Sequence, residues 1–536
     1  MNYARILIVL LFGISLLFVY GCTAEPADGT KTGGLPEPST YDAKRVSNAN
    51  TATASNEAPM DFEETDSSEK YASLDENPFY ETKRAPLSTF SIDVDTASYA
   101  NVRRYLERGT APPKDAVRIE ELVNYFEYDY PQPVGDVPFS VTTEAASAPW
   151  NGKHKLVQIG LQGKTVSLDN LPPSNLVFLL DVSGSMNAPD KLPLLKSGLR
   201  MMISQLSPRD RVAIVTYAGS SGLVLPSTSV SDRNAILNAL NRLQAGGSTN
   251  GGQGIQLAYK VARENFIRGG NNRVILATDG DFNVGPSSDD ALVSLIEKER
   301  ESNVFLSVFG FGTGNLNDSM MEKLSNKGNG NYAYIDSTQE ARKALGNQIA
   351  GTLYTIAKDV KIQVEFNPAK VAGYRLIGYE NRVMADQDFN NDKKDAGEIG
   401  AGVSVTALYE LVPAGQRVIN PGIDKLKYSK VEPTGEAFGS ELMTVKLRYK
   451  EPDGAKSKLL KHGVLDRNAS MEAASDNMRF ASSVAEFGLL LRDSKYKGSA
   501  SFDSIRKRAA SSMGSDLKGY RGGFLSLVDL AAKSRG

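Results

Sequence analysis

Between positions 174 and 355, short apolar runs alternate with segments in which apolar residues recur every three or four positions. The apolar runs have the length of buried parallel strands. They cover residues 176–180, 212–217, 274–277, 304–309 and 332–335. One of the intervening segments carries Leu192, Leu195 and Leu199 on one face of a helix. This alternation predicts an α/β domain over 174–355, built on an open, doubly wound parallel sheet.

The flanks of this domain follow a different pattern, because apolar and polar residues alternate as they do in half-buried antiparallel strands. Strands are predicted at 89–94, 137–142, 156–161, 360–366, 374–377, 403–412 and 442–449. Helices are predicted at 97–108, at 117–126, around Phe480, Val484, Phe487 and Leu491, and after Gly523. We expect the flanks, 76–173 and 356–536, to pair as one β-rich body into which the α/β domain is inserted. The C-terminal helices are expected to pack on that body.

The amino terminus has the pattern of an export signal. A short charged segment is followed by 15 largely apolar residues from Ile6 to Tyr20, fewer than the roughly 20 that span a membrane. Cys22, the only cysteine in the chain, follows Gly21. This end resembles a bacterial lipobox, which implies that residues 1–21 are a signal peptide and that Cys22 carries lipid. An uncleaved anchor with an incidental cysteine is the alternative.

Residues 22–75 are expected to form a flexible, lipid-anchored tether. From position 23 to position 70 the only large apolar residues are Leu35, Tyr41, Val46, Met60 and Phe62. Such a stretch cannot bury enough surface to offset the entropy lost on ordering. The globular part is therefore expected to be attached to a membrane of the cell envelope only through this tether. By the lipoprotein sorting pattern, Thr23 after the cysteine implies the outer membrane where the host has one.

Composition restricts the chemistry that the chain can carry. Its 61 Lys and Arg residues nearly balance 63 Asp and Glu residues, which argues against a protein dominated by nucleic-acid binding. One cysteine and two histidines exclude a disulfide framework and a metal centre rich in Cys or His. A metal site in this chain would therefore have to be built from oxygen ligands.

Three loops offer such ligands at the ends of predicted elements. Asp181, Ser183 and Ser185 follow the first apolar strand, Asp279 follows a later strand, and Thr249 precedes a helix. Ligands of doubly wound sheets bind at the carboxyl ends of the strands. Hydroxyls and carboxylates of low total charge suit Mg²⁺, which keeps several waters. The alternative is that the first loop merely caps the following helix.

The spacing Asp-x-Ser-x-Ser, then Thr249, then Asp279 resembles the metal-ion-dependent adhesion site of von Willebrand factor type A (VWA) domains, which have a Rossmann-like fold. The resemblance implies that Ser183, Ser185 and Thr249 ligate Mg²⁺, or another divalent cation such as Mn²⁺ or Ca²⁺. It implies that Asp181 and Asp279 act largely through water. A Glu or Asp carboxylate of a protein partner would fill the open position.

Two flanking segments add to the resemblance. Residues 91–99, with the sequence SIDVDTASY, and residues 378–382, with the sequence GYENR, resemble parts of a bacterial family of VWA lipoproteins, as does the stretch 395–409. The resemblance therefore covers most of the chain from Ser88 onwards.

Two further motifs favour ordinary turns. Residues 310–314 follow a strand but lack the spacing of a dinucleotide-binding loop. Residues 388–395 superficially resemble a calcium loop, but Lys393 stands where the EF-hand requires glycine. A polar turn between strands fits this segment better.

The sequence thus predicts a membrane-tethered, metal-dependent protein-binding lipoprotein rather than an enzyme. Two alternatives stay open. One is an envelope assembly factor or chaperone that uses the same site, and the other is a metal-dependent hydrolase.

Overall fold

The structure is a computed structural model that describes residues 69–218, 221–247, 251–280, 289–418 and 434–534. The predicted signal peptide, Cys22 and most of the tether lie outside these residues. None of the described helices is long and apolar enough to span a membrane.

The strands of the described residues are β1 (Tyr80–Glu81), β2 (Leu87–Ser91), β3 (Phe139–Ala148), β4 (Asn151–Gly163), β5 (Ser174–Asp181), β6 (Arg211–Tyr217), β7 (Ser221–Ser229), β8 (Asn271–Thr278), β9 (Phe305–Phe311), β10 (Tyr332–Ile335), β11 (Thr355–Phe366), β12 (Val371–Ile377), β13 (Val383–Met384), β14 (Gly397–Gly400), β15 (Ser404–Pro413), β16 (Glu441–Lys450) and β17 (Lys458–Leu465).

The α-helices are α1 (Ala97–Glu107), α2 (Ile119–Asn124), α3 (Leu192–Gln205), α4 (Arg233–Arg242), α5 (Gly251–Glu264), α6 (Asp289–Glu301), α7 (Asp318–Lys327), α8 (Thr338–Arg342), α9 (Ile349–Leu353), α10 (Asp476–Leu491), α11 (Phe502–Ala510) and α12 (Tyr520–Ser534).

The central sheet has the strand order β10-β9-β8-β5-β6-β7. Five of its strands are parallel, and β7 closes one edge antiparallel to β6. Successive side chains of a strand point to opposite faces, so a strand buried on both faces is apolar throughout. In β5, Phe178 packs in the core that contains Leu195 of α3, whereas Leu179 packs in the core that contains Ile255 of α5.

Helices cover both faces of this sheet. Leu195 of α3 and Leu240 of α4 belong to one apolar core, and residues of α5, α6 and α7 belong to the other. The predicted doubly wound α/β sheet is confirmed. The edge strand β7 was missed, because its Leu223 is 46% exposed and Pro226 interrupts its pattern.

Two antiparallel sheets form the β-rich body. Their strand orders are β1-β12-β15-β4-β3 and β13-β2-β11-β16-β17, and β14 also pairs with β11. The sheets join the two flanks, because β4 pairs with β15 and β2 pairs with β11. The register aligns Leu161 with Val405 and Phe90 with Ile362. The expected insertion of the α/β domain between two paired flanks is confirmed.

The C-terminal helices pack with α1 and α2 around an aromatic core. Phe126 contacts the rings of Phe480 and Phe524, at centroid distances of 4.9 and 5.7 Å. Helix α11 was missed, since only Ile505 and Ala509 of its nine residues are buried. A mostly polar helix of this kind carries little periodic signal.

Candidate metal centre

The two predicted aspartates lie at the same edge of the central sheet. Asp181 is the last residue of β5, and Asp279 directly follows β8. The two strands are neighbours, with Leu180 aligned with Ala277. Because parallel strands end at one edge, this register places both carboxyl groups there. Both residues are fully buried.

The first loop is built around the Asp181 carboxylate. Its Oδ1 accepts a hydrogen bond from the backbone N–H of Ser183, at 2.9 Å. A short 3₁₀ helix, Gly184–Asn187, then turns the chain so that Ser185 Oγ lies 2.9 Å from Ser183 Oγ. The structure therefore brings three of the predicted side chains together.

The second loop approaches the first through its backbone. Gly184 N–H donates to Gly247 O at 3.0 Å, and Gly246 N–H donates to Val182 O at 2.7 Å. Thr249 lies outside the described residues, two positions beyond Gly247, so its predicted role stays a prediction.

Two buried hydroxyls hold the other oxygen of Asp181. Tyr217, the last residue of β6, and Thr278 both donate to Asp181 Oδ2, each at 3.2 Å. Burial raises the pKa of Asp181 to about 6, although the hydrogen bonds from Ser183 and Thr278 oppose the rise. The carboxylate is thus fixed in orientation from both sides.

Asp279 has a cationic partner that sequence reasoning missed. Lys191 Nζ lies 2.9 Å from Asp279 Oδ2, and Lys191 is only 8% exposed. Burial acts to raise the pKa of Asp279, but hydrogen bonds from Lys191, Ser185 and Asn315 outweigh it and lower the pKa. Sequence reasoning also missed Tyr217, Thr278 and Asn315, which carry no motif.

The donor set fits a hard divalent cation. Within the described part of the site, Asp181, Ser183, Ser185 and Asp279 offer carboxylate and hydroxyl oxygens, which suit Mg²⁺. One more oxygen at this edge, Asn315 Oδ1, is buried without a hydrogen-bond partner among the described residues. A buried polar atom without a partner is costly, so this oxygen is available for a bound water or ion.

Two other carboxylate groups are close enough to hold a metal, but basic side chains already lie against them. They are Asp93 with Glu121 and Glu322, and Asp359 with Asp395 and Glu398. Arg118 and Arg382 pair with the first group, and Arg300 and Lys450 pair with the second. The first cluster is therefore explained as a buried ion network, and the second as a half-buried one.

The family-like flanking segments meet in the first of these networks. Arg382, from the segment 378–382, lies 2.9 Å from Asp93 and 3.4 Å from Asp95, which belong to the segment 91–99. Asp95 Oδ1 also accepts from the backbone N–H of Tyr332, in strand β10 of the central sheet. Both segments therefore dock the α/β domain onto the body.

Comparison with known proteins gives matches along most of the chain. Residues 175–348 match the family model described as von Willebrand factor type A domain, and residues 65–158 match one described as von Willebrand factor. Residues 351–533 match the model described as uncharacterized protein YfbK, C-terminal.

Individual relatives extend these matches. The uncharacterized protein YfbK of Escherichia coli (strain K12) is 45% identical over 472 residues, which cover 86% of this chain and 81% of that protein. Inter-alpha-trypsin inhibitor heavy chain H4 of Homo sapiens is 27% identical over 161 residues, covering 28% of this chain and 17% of that protein. A solved structure, von Willebrand factor type A from Catenulispora acidiphila, aligns with a TM-score of 0.41 at 15% identity, covering 74% of this chain and 91% of that one.

Proposed function

Because the chain belongs to the YfbK family of proteins with a VWA domain, we propose that it is a metal-dependent protein-binding module. VWA domains typically mediate protein interactions and often bind a divalent metal. One observation carries the proposal: Ser183 Oγ and Ser185 Oγ lie 2.9 Å apart, beside Asp181, at the edge that also holds Asp279.

The proposed metal ligands fall into two groups. Ser183, Ser185 and Thr249 would hold Mg²⁺ directly, and Asp181 and Asp279 would act largely through water. The cation, when bound, supplies a positive charge with a position open to an acidic side chain of a partner.

The surrounding side chains fix the geometry of this site. Tyr217 and Thr278 donate to Asp181 Oδ2, while Lys191 donates to Asp279 Oδ2. Ligands held in this way lose little conformational freedom when a cation binds. The proposed role is binding, with no catalytic step.

The proposed location is the cell envelope. Residues 1–21 would direct export, lipid on Cys22 would anchor the chain, and the tether would hold the globular part away from the lipid surface. The outer membrane is the proposed destination in a host that has one.

Affinity capture from native membranes tests the binding role. Wild-type protein and Asp181→Ala are each used as bait with Mg²⁺ and with EDTA. One set of partners is expected to be captured by wild type in Mg²⁺. The same partners should be missing from wild type in EDTA and from Asp181→Ala in either condition. Identical partner lists in all four samples would contradict the proposal. Ser204→Ala, on an exposed part of α3, is the matched control and should behave as wild type.

A further inference from the structure

The candidate metal centre contains an ammonium group as well as carboxylates. Lys191 immediately precedes α3, and its backbone is held by Lys191 N–H donating to Ala188 O at 3.0 Å and Leu195 N–H donating to Lys191 O at 2.8 Å. From this fixed backbone the side chain reaches Asp279 Oδ2 at 2.9 Å. The fully buried carboxylate and the nearly buried ammonium form a pair with little screening by water.

A distant loop leaves room for this side chain. A Cβ atom on Gly312 would lie 2.1 Å from Lys191 Cε and 2.5 Å from Lys191 Cγ. Real atoms do not approach so closely, so the lysine can pass only because position 312 has no side chain. Gly312 also has φ of +69°, a conformation that favours glycine. Gly312, directly after strand β9, thus gives Lys191 its path to Asp279.

The charges of the site determine what it can bind. Asp181, Asp279 and Lys191 together carry one net negative charge when all three are ionised. With Mg²⁺ bound, the site carries one net positive charge, which a single carboxylate neutralises. Without the lysine, the site with Mg²⁺ would be neutral, and a carboxylate would leave it negative.

We infer that Lys191 is a positioning residue that stays paired with Asp279 when the cation binds. It weakens the affinity for the cation and leaves the occupied site with the positive charge that attracts an acidic side chain. This inference rests on the proposed function, because it concerns the same cation and the same partner carboxylate.

Mg²⁺ binding measured by isothermal titration calorimetry tests the inference on the purified full chain. Lys191→Met, which removes the charge but keeps most of the side-chain length, should bind Mg²⁺ about tenfold more tightly than wild type. Lys191→Gln keeps a hydrogen-bond donor near Asp279 and should shift the affinity in the same direction, even where Lys191→Met does not fold. Lys196→Met is the matched control, since Lys196 Nζ donates to Asn241 O and Leu243 O, away from Asp279.

A second titration tests the charge argument directly. Acetate, the simplest carboxylate probe, should tighten Mg²⁺ binding more in wild type than in Lys191→Gln, because binding couplings are reciprocal. An equal effect of acetate on both proteins would overturn the inference.

The outcomes separate the inference from the proposed function. Unchanged or weaker Mg²⁺ binding by both Lys191 variants, with loss of binding in Asp181→Ala, would overturn the inference and leave the metal site intact. Unchanged or weaker binding is the result expected if the pair between Lys191 and Asp279 only stabilises the fold. Loss of such a pair lowers the stability of the protein and does not tighten Mg²⁺ binding. Equal Mg²⁺ binding by wild type and Asp181→Ala, or no binding by wild type, would contradict the proposed function itself.

Discussion

Arg118, which precedes α2, forms a buried ion pair with Asp318, the first residue of α7, with Nη1 2.5 Å from Oδ2. The pair joins the N-terminal flank to the α/β domain. Tyr332 Oη and Asn101 Nδ2 also donate to Asp318 Oδ1, at 2.9 and 3.2 Å. The relative position of the two parts therefore depends on groups removed from water, whose charges must be balanced.

Arg118→Met should destabilise the protein strongly. Asp318 and Glu121, which both pair with Arg118, would keep buried charges without their cation. Losing one partner of a buried pair costs about 3–5 kcal/mol, so the free energy of unfolding in urea should fall by that amount. Lys114→Met, which breaks an exposed pair with Asp493, should leave the free energy of unfolding nearly unchanged. Equal effects of the two substitutions would refute the role given to the buried pair.

Glu120 should make stability depend on pH. Burial raises its pKa to about 8, and the nearby Glu380 and Asp93 add to the rise, whereas the ordinary value is 4.5. The folded state therefore holds a proton that the unfolded state releases, so this stabilising contribution is complete below pH 4.5 and is lost as the pH rises through about 8.

Glu120→Gln should remove that loss. The free energy of unfolding of this variant should match that of wild type near pH 4.5 and should exceed it by a growing amount as the pH rises towards 8. Urea unfolding at several pH values measures the difference. The exposed Glu436→Gln is the control and should run parallel to wild type. Parallel curves for Glu120→Gln would show that Glu120 does not titrate in this range.

Ser185→Ala should weaken Mg²⁺ binding without unfolding the protein. The substitution removes one proposed direct ligand, and even outer-shell partners of metal sites change affinity by about 10–100-fold. Ser185 is exposed but its hydroxyl hydrogen-bonds the buried Asp279 carboxylate, so the free energy of unfolding in EDTA should fall by no more than about 3 kcal/mol and the protein should still fold. Titration calorimetry and urea unfolding check the two parts. Wild-type Mg²⁺ affinity in this variant would exclude Ser185 as a ligand.

Cys22→Ala should abolish lipid attachment. Cys22 is the only cysteine, so labelling of cells with a fatty-acid analogue should give no signal on the variant protein. Gly21→Ala keeps a small residue before the cysteine and should be labelled as wild type is. Equal labelling of Cys22→Ala and wild type would contradict the predicted lipid anchor.

The sequence predicted the positions of Asp181 and Asp279 well, because their placement follows from strand order alone. Each residue ends or follows an apolar run, and parallel strands in a doubly wound sheet end at one edge. The pairing of the flanks was predictable for a related reason: alternating strands before and after the domain need partners.

Lys191 could not be predicted in the same way. Lys191 directly precedes a helix that begins with Leu192. Because lysines are mostly exposed, the sequence predicts an ordinary exposed residue at this position. Its burial depends on Gly312, far along the chain, and on the carboxylate of Asp279. The network around Arg382 was similarly hidden, since its partners come from segments that meet only in the folded protein. Side-chain partners brought together by tertiary structure leave no periodic signal in the sequence.

A crystal grown with Mn²⁺ gives the strongest evidence for or against the metal site, because the anomalous signal locates the ion independently of the protein atoms. We predict one strong peak at the edge formed by β5 and β8, within metal–oxygen bonding distance of Ser183 Oγ, Ser185 Oγ and Thr249 Oγ1. No peak at this edge, or a Thr249 side chain turned away from the two serines, would contradict the proposed centre.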